Sequence, residues 1–164
     1  MALGDNTLQA ARGNSQRGRN PYLVQTELDF ATALSDKGTA LAAADVIPVI
    51  AVTKGTMILN AGVETITATS AGTSTIDVGT GVDADCFVDG YNNASGTAAG
   101  TLSQNPAAYQ PIMCVADDNI DVTLATQSST ALTTGKIRVW AVLMDCTDQG
   151  SDMTAQEVDR DTLA

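Results

Sequence analysis

The residue types best suited to chemistry are concentrated in one segment, DVGTGVDADCFVDGYNN, at positions 77–93. Its aspartates and Cys86 stand between two apolar runs. Carboxylate oxygens are preferred ligands of Ca²⁺, and an EF-hand loop needs them at a fixed spacing that ends on glutamate. Neither Asp83 nor Asp85 as the first ligand satisfies that spacing. A calcium site of another type at Asp83, Asp85 and Asp89 stays open beside the plainer interpretation, which is aspartates that are solvated or that cap a turn.

Other catalytic chemistry finds little support in the sequence. The chain contains no histidine, which excludes Ser-His and Cys-His catalysis and removes the commonest general base. Asp117 and Asp118 are conceivable as an acid/base pair, but consecutive carboxylates before a strand are typical of a turn. Asp85 precedes Cys86, and its negative charge should raise the thiol pKa rather than activate the thiol. We therefore predict no catalytic residue, no cofactor and no metal ligand, and we do not expect an enzyme.

Composition narrows the class of protein further. A chain of 164 residues fits one domain and can bury a sizeable core without metals or disulfides. The net charge of -11 argues against a nucleic-acid partner, because Lys and Arg supply affinity for phosphates. Three cysteines without a CxxC pair argue against a secreted disulfide framework. The sequence shows neither a membrane span nor a signal-peptide core, so we expect a protein made in the cytoplasm, or a particle assembled there.

The chain divides into three predicted parts. Residues 1–20 read as an extended polar arm with a short helical turn at 7–12, residues 21–147 as one β-domain, and residues 148–164 as an acidic tail. Such flanking segments cannot bury enough apolar surface to order themselves, although a partner can fix them. The arm carries a small basic cluster consisting of Arg12, Arg17 and Arg19. This cluster is either a solvated tail or a group that docks on an acidic surface of a neighbour.

The central part has short apolar runs separated by turn residues, which is typical of an antiparallel β-sandwich or jelly roll. In NIDVTLAT the apolar residues alternate with polar ones, as in a half-buried strand. In KIRVWAVLMD both faces are apolar after Arg138, so this strand is central or is covered by a neighbouring subunit. Pro48 predicts an edge or a bulge, and the Gly-bearing links, NAG among them, predict tight turns. The candidate strands are residues 28–34, 46–52, 56–59, 63–68, 75–78, 86–88, 112–116, 120–125 and 137–145. Residues 93–109 are predicted to be a loop without core structure.

Two runs, TSTIDVGTGVDADCFVDGYNNASGT and ADDNIDVTLATQSSTALTTGKIRVWAVLMD, resemble a pattern of small virion structural proteins of tailed bacteriophages. In that pattern a VGTG turn leads to a D-x-D segment and an F-x-DG turn, and two further strands follow. The matching positions are 78–81, 83–85, 87–90, 116–123 and 133–141. The resemblance covers roughly residues 45–145, leaving the arm and the tail outside.

The resemblance implies a β-sandwich that trimerises and binds between capsomers as a capsid decoration, or cement, protein. Its implied partners are the major capsid protein and two further copies of itself, without nucleic acid or membrane, and its implied location is the exterior of a capsid assembled in the host cytoplasm. A tail, collar or fibre-base subunit is the nearest alternative. A calcium-dependent carbohydrate-binding module at residues 83–89 is a more distant one, disfavoured by an aromatic content of 4%.

Overall fold

A computed structural model describes residues 9–10, 20–104, 110–127 and 132–146. The described residues form β-strands and a single short helix. Their bounds are β1 Gln9–Ala10, β2 Tyr22–Asp29, α1 Phe30–Lys37, β3 Val46–Val52, β4 Thr56–Thr67, β5 Ser74–Thr80, β6 Val88–Asn92, β7 Leu102–Gln104, β8 Ile112–Met113, β9 Asp118–Gln127 and β10 Lys136–Asp145. Within these residues, no helix has the length and apolar composition needed to cross a membrane.

The strands form two sheets. Sheet A has the order β1-β3-β9-β5-β6, and sheet B has the order β2-β10-β4-β7, with β8 also pairing with β4. Every pairing is antiparallel except that of β1 with β3. β9 is the central strand of sheet A, and β10 and β4 are the inner strands of sheet B. The all-β antiparallel sandwich predicted from the sequence is confirmed.

The core lies between the sheets and is built from aliphatic side chains, as the low aromatic content predicts. Ile120, Val122 and Leu124 of β9 are fully buried, whereas the alternate residues of this strand are only partly buried or exposed. On β10 the fully buried set is Ile137, Val139, Ala141 and Leu143. The opposite face of β10, from Arg138 to Met144, is partly buried. β10 is thus an inner strand of sheet B, with one face in the core and an apolar outer face that is only partly buried.

Two sequence signals identify their elements correctly. Residues 46–52 coincide with β3, and the register against β9 shifts between Pro48 and Ile50. Proline has no backbone N–H to donate to a ladder, so a bulge accommodates it. On the other side of β3, β1 pairs through Ile50 and Ala51, so β3 is not an edge strand of the described sheet. Of the two alternatives predicted for Pro48, the bulge is confirmed.

The predicted strand at 28–34 is wrong, because the chain turns there from β2 into α1. The Asp29 carboxylate accepts a hydrogen bond from Ala31 N (2.9 Å) and caps the helix start. Gly38 ends the helix with φ of 71°, a left-handed conformation that favours glycine, and its N–H donates to Leu34 O. Phe30 is fully buried and fixes the helix on the sandwich. Asp29 as N-cap and Gly38 at the C-terminus are a helix signal in the sequence. The apolar residues between them also suit a strand, which explains the wrong prediction.

The predicted turn at NAG is also wrong, since residues 56–67 form one continuous strand, β4. Gly62 lies inside this strand opposite Trp140. A Cβ atom at Gly62 would come within 2.6 Å of both the Trp140 ring and Ser103 O. The glycine is present because the tryptophan ring occupies the space above it, and not because the chain turns.

The remaining segments depart from expectation in smaller ways. The predicted loop 93–109 contains β7, which pairs with β4, and positions 105–109 lie outside the described residues. In the arm, Gln9 and Ala10 are extended and pair with β3, where a helical turn was expected. The rest of the arm, and residues 148–164, lie outside the described residues, so the division into arm, domain and tail stays a prediction.

Candidate functional site

The acidic segment at 77–93 forms a hairpin from β5 to β6 whose connecting loop folds back onto β5. Phe87 N donates to Val78 O (3.0 Å), and Thr80 N donates to Asp83 O (2.8 Å). Phe87 is fully buried, so it anchors the loop in the core as the sequence suggested. Gly79 lies directly beneath the loop, where a Cβ atom would overlap the backbone of Asp83 and Ala84. The segment is therefore a tightly built corner of the sandwich.

The aspartates of this corner face solvent. Asp83, Asp85 and Asp89 are all exposed. When protonated, the Asp85 carboxyl donates a hydrogen bond to Asp83, which raises the pKa of Asp85, and the charges of Asp83 and Asp89 act in the same direction. Asp77 accepts a hydrogen bond from Gly90 N (2.7 Å) and so stabilises the hairpin. Among the described residues no group of three or more acidic, cysteine or histidine side chains is placed to hold a metal ion.

The consecutive carboxylates Asp117 and Asp118 bind backbone N–H groups. Asp117 Oδ1 accepts from Lys54 N (2.9 Å), which ties the segment before β9 to the turn between β3 and β4. Asp118 Oδ1 accepts from Asn119 N (2.8 Å) and lies close to Gly81. These contacts agree with the turn interpretation of the pair, and they supply no shared proton for acid/base work.

Two of the cysteines, Cys86 and Cys114, are unreactive because of their positions. All three are free, with Cys114 buried and Cys86 and Cys146 partly buried. Burial, together with the charges of Asp83 and Asp85, raises the pKa of Cys86 to about 11. Burial and the Asp118 charge raise the pKa of Cys114. Thiols with raised pKa values stay protonated near neutral pH and are poor nucleophiles.

Asp121 is an unusual carboxyl that the sequence did not single out. It lies on the outer face of sheet A, opposite Pro48 on β3 and Gly79 on β5. Burial, with a smaller contribution from the Asp118 charge, raises the pKa of Asp121 to about 6. The alternation of β9 correctly placed this side chain on the outer face, but alternation carries no information on how much a neighbouring segment covers it.

Sheet B carries an apolar patch on its outer face, which we call the outer patch and define as Leu23, Leu102, Trp140 and Val142. Leu23 on β2 pairs with Val142 on β10. Trp140 lies two residues before Val142 on the same face of β10, opposite Gly62 of β4. Leu23 is 62% exposed and Leu102 is 61% exposed. Beside the patch, the Arg138 guanidinium binds Glu64 Oε2 (3.0 Å) and Glu27 Oε1 (3.3 Å), which links three strands.

A second apolar surface lies at one end of the sandwich, where the β5–β6 loop meets the segment before β9. This end groove, of about 380 Å³, is lined by Thr80, Val82, Asp83 and residues 112–118. Val82 is 93% exposed, Val115 80% and Met113 41%. This groove was not predicted from the sequence, because residues 112–116 resemble a buried strand, whereas only Ile112 and Met113 of them pair with β4.

The predicted partner-binding residues Arg12, Arg17 and Arg19 lie outside the described residues. The residues on either side of this segment, Ala10 and Asn20, are described. Ala10 pairs with Ala51, near Val52 at the end of β3, and Val52 pairs with Asp118. Asn20 leads into β2, whose first residue pairs with Leu143 near the end of β10. Ala10 and the start of β2 thus both lie toward the end of the sandwich that carries the end groove.

Comparison with solved structures identifies the same fold in chains from phage capsids. A chain in the cyanophage Pam1 capsid asymmetric unit matches with a TM-score of 0.59 at 17% identity, over 83% of this chain and 91% of that one. A chain in the capsid of Ralstonia phage GP4 gives a TM-score of 0.60 at 14% identity, over 86% and 99%. A chain from the acid-stable capsid of Helicobacter pylori bacteriophage KHP30 matches with a TM-score of 0.53 at 12% identity, over 76% of this chain and 86% of that one. No protein-family model matches the sequence, and neither does any curated protein. At the level of the fold, the resemblance to phage virion proteins inferred from the sequence is confirmed.

Proposed function

We propose that this protein is a non-enzymatic structural component of a phage virion, and specifically a capsid decoration (cement) protein. The observation that carries the proposal is the shared fold with chains from three phage capsid structures, over 76 to 86% of this chain. The chemistry of the described residues supports a structural role, since Asp117 and Asp118 bind backbone N–H groups and the pKa values of Cys86 and Cys114 are raised.

The charge of the chain supports a place on the outside of the head. With a net charge of -11, the protein is repelled by packaged DNA, whose phosphates line the inner side of a filled shell. The same acidity keeps the free protein soluble at the high concentration that assembly requires. The major capsid protein is accordingly the partner, and neither nucleic acid nor a membrane is involved.

The outer patch supports self-association. Exposed apolar side chains on one sheet face are typical of an interface; Leu23 and Leu102 are such side chains on sheet B, and the partly buried Trp140 lies on the same face. Trp residues at the centre of an interface contribute strongly to its stability. We assign this face to contacts within a homotrimer in which each copy covers the outer patch of the next.

The arm supports attachment to neighbours. Arg12, Arg17 and Arg19 face only Asp5 as an opposing charge within residues 1–20. Because they precede an acidic body, they fit an acidic surface of a neighbouring shell subunit. The pairing of Gln9 and Ala10 with β3 refines the experiment, since removal of residues 1–20 also removes a strand. Two variants separate the loss of β1 from the loss of the arginines. Deletion of residues 1–8 keeps both β1 and the arginines, and the triple change Arg12→Ala, Arg17→Ala, Arg19→Ala removes only the three positive charges.

The test is rebinding to phage heads stripped of this protein. We expect saturable binding by the wild-type protein, gold label spread over the whole head in electron micrographs, and a higher temperature of head rupture after rebinding. Label confined to one vertex would assign the chain to a collar, tail or fibre base instead. Binding of the triple arginine variant that equals wild-type binding would remove the arm from the mechanism.

A further inference from the structure

We propose that the end groove is the surface through which this protein docks on the shell, and that it takes a protein segment presenting an apolar side chain flanked by Lys or Arg. The assignment rests on the proposed function for the identity of the partner. The chemistry of the occupant, however, is derived from the groove alone.

The first step is the exposure of apolar side chains. Val82, Met113 and Val115 come from two different loops and meet in one groove of about 380 Å³. Val82 and Val115 are 93% and 80% exposed, so the folded chain gains nothing from their apolar character. Grouped apolar side chains of this kind, surrounded by polar residues, mark a surface that a partner covers.

The second step is the charge around the groove. Asp83, Asp117 and Asp118 line it, and Asp85 follows Asp83 in the same exposed loop. Lys54 contacts Asp117 through its backbone N–H. An apolar floor with an acidic rim selects an apolar side chain carried between basic ones, because complementary potentials set register and suppress other partners.

The third step distinguishes a partner from the chain's own basic segment. Residues 11–19, ARGNSQRGR, contain no apolar side chain larger than alanine, so they cannot fill the apolar floor. The tail at 148–164 contains apolar residues but is acidic, so the rim repels it. Residues 1–8 contain Leu3 and Leu8 but no Lys or Arg, so they lack the basic side chains that the rim selects. A segment of another protein meets both requirements, and on a phage head the shell protein supplies it.

The experiment compares matched valine variants in rebinding to stripped heads. Val115→Ser in the groove should weaken binding about tenfold, since it removes the burial of one valine side chain. The control is Val46→Ser, at a valine that is 51% exposed on sheet A and away from the groove. Asp83→Lys should weaken binding more at low salt than at high salt, because screening removes the electrostatic part of the affinity.

A photo-crosslinking residue at Met113 identifies the occupant. We expect crosslinks to a shell-protein peptide that contains an apolar residue beside Lys or Arg. Crosslinks to residues 1–20 of this chain or of a second copy overturn the assignment, as does a Val115→Ser variant that binds like wild type while wild type binds normally. Failure of the wild-type protein itself to bind stripped heads overturns the proposed function, and the groove assignment with it.

Discussion

The indole ring of Trp140 lies across β10 and β4 so that it covers Gly62, its partner in the ladder. The ring and Ser103 O each stand 2.6 Å from the point where a Cβ atom would be. An aromatic side chain that covers a glycine on the neighbouring strand compensates for the packing that the glycine lacks. The pair therefore fixes the register of sheet B and shapes the centre of the outer patch.

Gly62→Ala should destabilise the protein by about 1 to 3 kcal/mol, because the new methyl group forces the Trp140 ring or β7 to move. Denaturant unfolding followed by tryptophan fluorescence measures the loss and reports the ring displacement directly. Gly96→Ala is the matched control, since a Cβ atom at Gly96 meets nothing within 4 Å. Equal stability of the two variants would show that the ring does not occupy the space above Gly62.

The same pair shows where sequence reasoning about the fold succeeds and fails. Strands with regular alternation, such as β9, were found because one buried face imposes a period of two on the sequence. NAG was misread because a glycine required by a tertiary contact looks the same as a glycine required by a turn. Residues 28–34 were misread because Phe30 and Leu34 suit a strand as well as a short helix. These ambiguities are resolved by contacts distant in sequence, which no local window contains.

Phe87→Ala should cost about 3 to 5 kcal/mol, because a fully buried phenylalanine leaves a cavity when truncated. Val82→Ala, in the same loop at 93% exposure, should change stability by less than about 0.5 kcal/mol. Thermal unfolding of both variants measures the difference. A small effect at Phe87 would mean that the β5–β6 loop is held by its backbone hydrogen bonds alone.

Asp121 should make the protein less stable as the pH rises. Its folded-state pKa of about 6 exceeds the unfolded value of about 3.9, so between these values the folded state binds more protons and stability falls with increasing pH. Asp121→Asn should therefore stabilise the protein at pH 7 by about 1 kcal/mol, a figure reduced for partial solvent exposure, and should have no effect below pH 4. Unfolding in denaturant at both pH values tests this, with Asp89→Asn, an exposed position, as the control. A gain in stability of Asp121→Asn that is the same at both pH values would contradict the raised pKa of Asp121.

The outer patch should govern the mass of the protein in solution. Leu23→Asp and Leu102→Asp each place a charge on a position that is over 60% exposed, so the fold should tolerate them while the trimer dissociates, because burying an unpaired charge is costly. Light scattering measures the mass, with Val46→Asp on sheet A as the control. A wild-type monomer, or a trimer unchanged by both substitutions, would contradict the assignment of this face.

The candidate site was less predictable than the fold. The sequence indicated that the aspartates of 77–93 shape a corner between strands, and the hairpin bonds at Asp77 and Phe87 agree. It did not indicate the groove beside that corner, since Met113 and Val115 are indistinguishable in type from core residues. Exposure of an apolar side chain depends on whether other segments reach it, and only the packed structure contains that information.

The strand order has a consequence for how the chain acquires its structure. β2 pairs with β10 through Leu28 and Ile137, and β9 lies between β3 and β5, so β9 and β10 are synthesised after the strands that they join. A nascent chain that lacks β9 and β10 can pair β5 with β6, and β4 with β7 and β8, but it cannot join β3 to β5 or β2 to β4. Closing such distant pairings slows folding, so each sheet is completed only when its late strand joins the earlier ones.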